Sequence, residues 1–391
     1  MHGHAERAVL FIMVYRKLGK TGADISVIGL GAEHLEHVEY SIVDEVVGEA
    51  LEQGINYVDL FMASPGVRDN FGKVLKGRRD KMMVCGHIGA CMKDGQYYRS
   101  RETAINREYY EDILKRTKSD YMDVAMIHYV DTLEDAERVM APGGALELAC
   151  DYKKQGKARF IGLSSHNPSA ALKLIGSGKI EVLMFSVNPV HDVLGDSELD
   201  DVFAESGEIY KSAAEGINPL REKLYATCAR EGVGIVTMKT YMGGWMFKPN
   251  NFGLNLTPEQ CIHYALSRPG VAAVLPGCRT AAEVKAAAAY LSAGAAERDY
   301  AGALSESNLW NKRSECMYCN HCLPCPVGID IAETTRLRDI AQNGMTEALK
   351  ARYNSLPATA SSCIECRACE TNCPFGIEIT ENIREAAALF E

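Results

Sequence analysis

Three things are missing from this 391-residue sequence, and each absence excludes a class of protein. No apolar run reaches the ~18 residues that a membrane-spanning helix needs, so we expect no membrane protein. Positive charge is in deficit: 42 Lys and Arg against 52 Asp and Glu give a formal net charge of −10, and neither nucleic acid nor an anionic membrane surface is an expected partner. The apolar run at residues 8–15 is followed by basic residues and lacks a small-residue cleavage site, which predicts a cytoplasmic protein.

Cysteine, by contrast, is abundant, and eight of the 14 cysteines lie in two runs near the C-terminus. The runs are Cys316-x2-Cys319-x2-Cys322-x2-Cys325-Pro326 and Cys363-x2-Cys366-x2-Cys369-x3-Cys373-Pro374. The second spacing is that of bacterial two-cluster ferredoxins, in which three thiolates bind one 4Fe–4S cluster and the fourth binds the other. We therefore predict two 4Fe–4S clusters. Their predicted ligands are Cys316, Cys319, Cys322 and Cys373 for the first cluster, and Cys363, Cys366, Cys369 and Cys325 for the second cluster.

Structural zinc is the alternative interpretation of these cysteines, because CxxC pairs also bind that metal. Zinc needs only four thiolates, which leaves the third x2 cysteine and the trailing Cys-Pro of each run without a purpose. The spacing before Cys325 is one residue shorter than the corresponding spacing in the second run. Which cluster the Cys325 thiol binds is therefore left open. Apolar residues at helical spacing between the runs predict a mainly helical, ferredoxin-like domain at residues 301–391, suited to a cell that keeps oxygen away.

Before residue 300 the chain alternates short apolar strands with amphipathic helices. This pattern predicts a (β/α)8 TIM barrel at residues 13–300, preceded by an N-terminal extension at residues 1–12. The first helix is expected to begin at Ser41, whose side chain would cap its first turn. The predicted strands cover residues 26–30, 57–61, 82–87, 123–128, 160–165, 182–187, 234–239 and 271–277.

Polar side chains lie at the ends of the predicted strands, where such barrels carry their active sites. Asp59 ends the second strand, His87 and His128 end the third and fourth, and His166 follows the fifth. Barrel geometry directs residues at these equivalent positions into one mouth. The candidate wall residues of this mouth suggest a small organic substrate, and they are Phe61, Met62, Tyr97, Tyr98, Tyr129 and Trp245.

Several segments resemble the aldo/keto reductase family over nearly the whole barrel. They are YRKLGKTG at residues 15–22, GINYVD at 54–59, MIH at 126–128, GLS at 162–164 and MK at 238–239. The fused two-cluster tail resembles one branch of that family. The resemblance implies the barrel fold and the reduction of carbonyls with NADPH by a tetrad of Asp, Tyr, Lys and His.

The tetrad itself is incomplete in this sequence. Asp59 and His128 match two of its members, but Ser64 stands at the position of the proton-donating Tyr and His87 at that of the Lys. A serine hydroxyl is a far weaker acid than a phenol, whose pKa is about 10. We therefore expect His87 and His128 to act as general acid and base, because imidazoles titrate near neutrality.

The positions that hold the nucleotide in the family are also changed. The nicotinamide contacts read Ser164, Ser165 and Met184 here, and the adenine-side Asn corresponds to Ala287. The candidate cofactor-binding residues that remain are Ser164, Lys239 and Arg279. Binding of NADP(H) is left open at this point.

Three functions are compatible with these features. The first is an iron–sulfur oxidoreductase that acts on a small organic substrate, with electrons passing through both clusters and with a ferredoxin or a flavoprotein as the electron partner. The second is a metal-dependent lyase or hydrolase with Asp59, His87 and His128 as ligands and with structural clusters. The third is a non-catalytic electron carrier, which the ionisable groups in the mouth disfavour.

Overall fold

The computed structural model describes residues 12–196, 216–248, 253–307 and 316–391. The predicted extension at residues 1–12 therefore lies, except for Ile12, outside the described residues. The described chain opens with an antiparallel hairpin of β1 (Tyr15–Lys17) and β2 (Asp24–Ser26). Leu18 and Ile25 of this hairpin are fully buried and pack into the apolar interior of the following sheet.

That sheet has eight parallel strands and closes into a barrel. The bridges Ile28–Val274 and Gly31–Gly277 join its first and last strands, which confirms the (β/α)8 prediction. The first barrel strand was predicted at residues 26–30, but it covers only Leu30–Gly31. Ser26 belongs to β2 of the hairpin, which fills the bottom of the barrel. The barrel strands are β3 (Leu30–Gly31), β4 (Tyr57–Leu60), β5 (Met83–Ile88), β8 (Met122–Ile127), β9 (Ala158–Ser165), β10 (Val182–Ser186), β11 (Gly234–Met238) and β12 (Val271–Val274).

A second hairpin interrupts the barrel pattern directly after β5. Its strands are β6 (Ala90–Lys93) and β7 (Gln96–Arg99), with Met92 opposite Tyr97. Asp94 and Gly95 join them with φ of 53° and 77°, as in the tight turns that connect twisted strands. The Tyr109 hydroxyl donates to the Met92 carbonyl at 2.6 Å and fixes the hairpin beside the barrel mouth.

Amphipathic helices cover the outside of the barrel. In the first of them Val43, Val46, Val47 and Ala50 are buried, which is the i, i+3, i+4, i+7 stripe of a helix on a sheet. The expected cap at Ser41 was wrong, because the helix begins at Tyr40. The barrel helices are α1 (Tyr40–Glu52), α2 (Pro65–Val74), α3 (Thr103–Thr117), α4 (Leu133–Met140), α5 (Ala145–Lys154), α6 (Pro168–Ile175), α7 (Pro219–Glu231), α8 (Pro258–Leu266) and α9 (Ala281–Ala288).

The C-terminal part is helical, as predicted, and packs on the flank of the barrel. Arg268, which is buried after α8, donates from Nη2 to the Met317 carbonyl at 2.7 Å, and the Tyr300 hydroxyl donates to the same oxygen at 2.5 Å. These contacts fix the first cysteine run on the barrel. The remaining helices are α10 (Ala295–Arg298), α11 (Ala301–Glu306), α12 (Ile331–Gln342), α13 (Glu347–Asn354), α14 (Ala368–Thr371) and α15 (Ile379–Phe390).

None of the helices in the described ranges is both long and apolar enough to cross a membrane.

Candidate active site and cluster sites

A cavity of about 790 Å³ opens at the carboxyl ends of the barrel strands. All six predicted barrel site residues line it, namely Asp59, His87, His128, Ser164, Lys239 and Arg279. Of the predicted wall residues, Phe61, Met62, Tyr97 and Tyr129 line this cavity, whereas Tyr98 and Trp245 do not.

A chain of short hydrogen bonds crosses the floor of this cavity. Asp59 Oδ1 lies 2.8 Å from His87 Nε2, and His87 Nδ1 lies 2.6 Å from His128 Nδ1. His128 Nε2 lies 2.6 Å from the Tyr97 hydroxyl oxygen. The Phe61 ring stacks on His128 at a centroid distance of 5.7 Å and so holds the imidazole plane in place. We call this set the proton chain.

Donor counting assigns the hydrogens along the proton chain. An ionised Asp59 only accepts, so His87 donates from Nε2 and its Nδ1 accepts from His128 Nδ1–H. His128 Nε2 is then an acceptor, and the Tyr97 hydroxyl donates to it. Burial lowers the pKa of His128 well below its ordinary value of 6.5, and the neighbouring His87 and Arg101 lower it further. A neutral His128 at pH 7 is what this pattern requires.

Tyr97 is the residue whose role the sequence analysis missed. Burial raises the pKa of its hydroxyl, and the nearby Arg99 and Arg101 act in the opposite direction. Its position depends on the β6–β7 hairpin, which strand alternation alone does not predict. The Asp94-Gly95 pair between alternating residues is the signal that identifies such a hairpin.

Ser64 does not take part in this site. Its side chain is buried before α2, and its Oγ has no hydrogen-bond partner within the described ranges. Its neighbours Met62 and Ala63 line the cavity, but Ser64 does not. The position of the missing family tyrosine therefore contributes no proton donor to the mouth.

A second Asp–His pair lies in the same mouth. His166 Nδ1 is 2.8 Å from Asp131 Oδ2, and the His166 backbone N–H donates to Asp131 Oδ1 at 2.7 Å. Burial by itself raises the pKa of Asp131, but the hydrogen bonds and the charge of His166 bring it below its ordinary value. His166 lines the cavity, while the Tyr129 ring packs against its imidazole at 5.2 Å.

The half of the cavity beside β11 and β12 has an exposed backbone. Lys239 has φ of 58°, and Gly243 and Gly244 follow with φ of 63° and 88° and with open space where a Cβ would lie. Left-handed conformations at a non-glycine residue are uncommon and often mark ligand sites. A ligand can therefore approach the main chain closely here.

Lys239 and Arg279 line this half of the cavity, but three of the positions that contact the nucleotide in the family offer no polar side chain here. The Ser165 hydroxyl donates to the Val130 carbonyl at 2.6 Å and is fully buried, so it does not reach the cavity. Met184 and Ala287 line the wall without polar groups. Glu283 Oε2 accepts from the Arg279 backbone N–H at 2.5 Å, which places a negative charge in the cavity wall.

The eight clustered cysteines separate into two groups in space. Cys325, Cys363, Cys366 and Cys369 line one small cavity with an otherwise largely apolar wall of Pro and Ile side chains. In the other group, burial raises the pKa of the Cys322 thiol, and the nearby Cys316, Cys319 and Cys373 raise it further. The two groups are the ligand sets predicted for the second and the first cluster.

No residue of the described C-terminal part lines the barrel cavity, so both groups of cysteines lie outside it. A path of contacts nevertheless connects them. Pro258, at the start of α8, lines the cavity, and Gln260 Nε2 in the same turn donates to the Asp299 carbonyl at 2.5 Å. The Asp299 carboxylate contacts Nε2 of His321, between Cys319 and Cys322, at 3.0 Å.

Family models match two parts of the chain. Residues 27–205 match the aldo/keto reductase family, and residues 312–377 match the 4Fe–4S dicluster domain. The aldo-keto reductase YhdN of Bacillus subtilis is 30% identical over 162 residues, which cover 39% of this chain and 47% of that protein. The L-glyceraldehyde 3-phosphate reductase of Escherichia coli is 28% identical over 173 residues, 42% of this chain and 48% of that protein. The chain thus spans about half the length of these curated relatives.

Solved structures share the barrel. Aldo-keto reductase AKR11C1 from Bacillus halodurans, in its holo form, superposes with a TM-score of 0.56 at 22% identity. The superposition covers 73% of this chain and 94% of that chain. At this level of identity the likeness concerns the fold.

Proposed function

Because an aldo/keto reductase domain at residues 27–205 is joined here to a 4Fe–4S dicluster domain at residues 312–377, we propose that the chain is an iron–sulfur oxidoreductase. Its substrate is a small organic molecule bound in the barrel mouth. The observation that carries this proposal is the hydrogen-bonded series Asp59–His87–His128, which ends at an open cavity of about 790 Å³.

His87 and His128 are the proposed acid and base. Asp59 fixes the His87 ring and stabilises it when it carries a second proton, as a carboxylate does beside a catalytic imidazole. His128 is the more exposed of the two imidazole residues, at 7% against 2% for His87, and Phe61 stacks on its ring. A proton is therefore exchanged with substrate from the His128 side, while His87 holds the charge.

Two 4Fe–4S clusters fit the two groups of four thiols, and each cluster supplies one electron at a time. The second cluster is the proposed contact for a ferredoxin or flavoprotein, because Cys366 is exposed and its neighbour Ile364 is 63% exposed. The contacts through α8, Asp299 and His321 support a route from the first cluster to the mouth. Thiolate-bound clusters of this kind would suit a reducing compartment, and we propose that the chain is cytoplasmic.

NADP(H) does not fit the cavity well, although the backbone at Gly243 and Gly244 would admit a pyrophosphate. Ser165 is turned away, and Met184 and Ala287 offer no hydrogen bonds to the carboxamide or to adenine. The Glu283 carboxylate opposes an additional phosphate by charge. We derive no step through this nucleotide.

One observation favours the alternative of a metal-dependent lyase or hydrolase with structural clusters. Ligand atoms of Asp59, Cys85 and His87 lie within 4.8 Å of one another. However, His87 Nδ1 and His128 Nδ1 are 2.6 Å apart, whereas two nitrogens bound to one tetrahedral zinc are about 3.3 Å apart. The two Nδ1 atoms are therefore too close to bind one tetrahedral metal together, and we propose that they share a proton.

Metal analysis of anaerobically purified protein separates the two functions. The oxidoreductase predicts about eight irons and eight sulfides per chain, and no further metal. Zinc or iron that remains after the clusters are removed, and that is lost in His87→Ala, would establish the metal enzyme instead. His37→Ala, on an exposed loop, is the matched control.

A further inference from the structure

The proton donor that the aldo/keto reductase family keeps next to its second strand is absent here, because Ser64 is buried and does not line the cavity. A different tyrosine approaches from outside the barrel pattern. Tyr97 lies on β7 of the inserted hairpin, lines the cavity, and places its hydroxyl 2.6 Å from His128 Nε2. The phenol is thus at the solvent-facing end of the proton chain.

We propose that Tyr97 is the catalytic residue that exchanges the proton with the substrate oxygen, and that it is recharged through His128 and His87. This inference rests on the proposed oxidoreductase function. The substrate class it implies is a carbonyl compound, or the corresponding alcohol, with an aromatic or conjugated group that packs beside Phe61 and Tyr129.

The protons and electrons balance as follows for reduction. The carbonyl takes up two electrons, which clusters held by the two cysteine groups would supply one at a time from a low-potential one-electron donor of the ferredoxin class. The Tyr97 O–H bond breaks as an O–H bond forms on the substrate, and a solvent proton completes the C–H bond. His128 then returns a proton from Nε2 to the phenolate while its Nδ1 takes one from His87.

In this scheme the imidazolium of His87, paired with Asp59 at 2.8 Å, is the store of the extra proton. When His87 is doubly protonated, the Asp59–His87 hydrogen bond keeps its direction and the other two reverse, so His87 donates to His128 and His128 donates to the Tyr97 oxygen. The Tyr97 hydrogen is then free to point at the substrate. In the resting state that hydrogen is directed to His128 instead.

The hairpin fixes the hydroxyl in this position. Arg99, two residues along the same face of β7, donates to the Tyr129 carbonyl at 2.8 Å. Arg101 donates to the carbonyls of His128 and Tyr129 at 2.9 and 2.8 Å. Both arginines therefore connect the hairpin to the end of β8 and place positive charge near a developing phenolate.

Tyr98 provides a matched control, because adjacent residues of a strand point to opposite faces. It lies next to Tyr97 in sequence but does not line the cavity. Tyr97→Phe keeps the ring, which packs edge-on to Phe61 at 6.5 Å, and removes only the hydroxyl. The comparison thus isolates one oxygen atom.

The experiment uses the full chain with both clusters, a reduced viologen as electron donor, and a panel of aromatic and cyclic aldehydes and ketones. Tyr97→Phe is expected to lower kcat about 100-fold or more, with KM within about threefold and unchanged cluster EPR spectra. Tyr98→Phe is expected to retain the wild-type kcat. A kcat for Tyr97→Phe within threefold of wild type, or an equal loss in Tyr98→Phe, overturns the proposal.

A second measurement does not depend on turnover. In ¹⁵N-histidine NMR spectra of the resting protein, Tyr97→Phe must shift the His128 ring resonances and leave those of the distant His263 in place. If the wild-type protein reduces no member of the panel, the proposed substrate chemistry is wrong, and only the NMR spectrum still tests Tyr97. Unshifted His128 resonances in Tyr97→Phe would then contradict the proposed link between Tyr97 and His128.

Discussion

Asp59 is the fixed end of the proton chain, and its carboxylate determines which way every proton in the chain points. The side chain is only 7% exposed and has His87 as its ring partner at 2.8 Å. A neutral amide in its place carries no negative charge with which to stabilise an imidazolium. The chemistry of the mouth therefore depends on a residue that need not touch the substrate.

Asp59→Asn is expected to lower kcat about 100-fold while leaving KM and the iron content near wild type. The same viologen-linked assay measures it. Asp44→Asn is the control, since Asp44 pairs with Arg78 at 2.9 Å on the outside of the barrel. Equal rates for Asp59→Asn and wild type would remove the carboxylate from the mechanism.

His263 predicts a pH effect on stability that is separate from catalysis. Burial, together with the charges of Arg298 and Arg268, lowers its pKa from 6.5 to about 4. The unfolded chain thus binds more protons between pH 6.5 and 4, so stability falls as the pH falls through that window. From pH 7.5 to 5.5 the free energy of unfolding should drop by about 1 kcal/mol more in wild type than in His263→Gln.

Urea unfolding of the two proteins side by side measures this difference. Other titrating groups cancel because they are common to both. The glutamine retains a hydrogen bond to the Tyr290 hydroxyl, which lies 3.1 Å from His263 Nδ1. Parallel pH curves for the two proteins would show that His263 is not buried in its neutral form.

At the scale of elements, regular periodicity was predictable from the sequence, and irregular insertions were not. The apolar strands that end at His87 and His128 were identified because alternation with helices repeats along the chain. The β6–β7 hairpin breaks that repeat, so Tyr97 was assigned only to the cavity wall. Ser41 was expected to cap the first helix, but the helix begins at Tyr40 and has no side-chain cap. The apolar stripe that starts at Val43 holds this helix on the barrel instead.

The positions of the cysteines predict which cluster is bound by the last cysteine of each run. Cys325 lies with the second run and Cys373 with the first. Cys373→Ala should therefore disrupt the first cluster, and Cys325→Ala the second, with a loss of about four irons each. EPR spectra of the two reduced variants should retain different single-cluster signals.

Cys150→Ala is the control for these variants, because Cys150 is partly buried in the barrel part of the chain and belongs to neither run. It is expected to keep both signals. If Cys325→Ala and Cys373→Ala lose the same signal, the crossed assignment of the fourth ligands is wrong.

At the scale of the whole molecule, the sequence predicted both parts, but it could not predict how they meet. Which side of the barrel carries the clusters depends on contacts between distant residues, such as Arg268 with Met317. The result is a mouth whose cavity contains none of the described residues of the two cysteine runs. The proposed electron route would pass near α8, where Gln260 and His321 both contact Asp299.

Electron passage between substrate and clusters is the central claim, and EPR spectroscopy tests it most directly. The full chain is reduced anaerobically until both clusters give signals, excess reductant is removed, and the carbonyl panel is added without nucleotide. We predict that at least one carbonyl compound abolishes the cluster signals in the wild-type protein. One molecule of alcohol should form for every two clusters that are oxidised. In His87→Ala the signals should persist. Cluster signals that persist while wild type turns over the same carbonyl with NADPH would contradict the account.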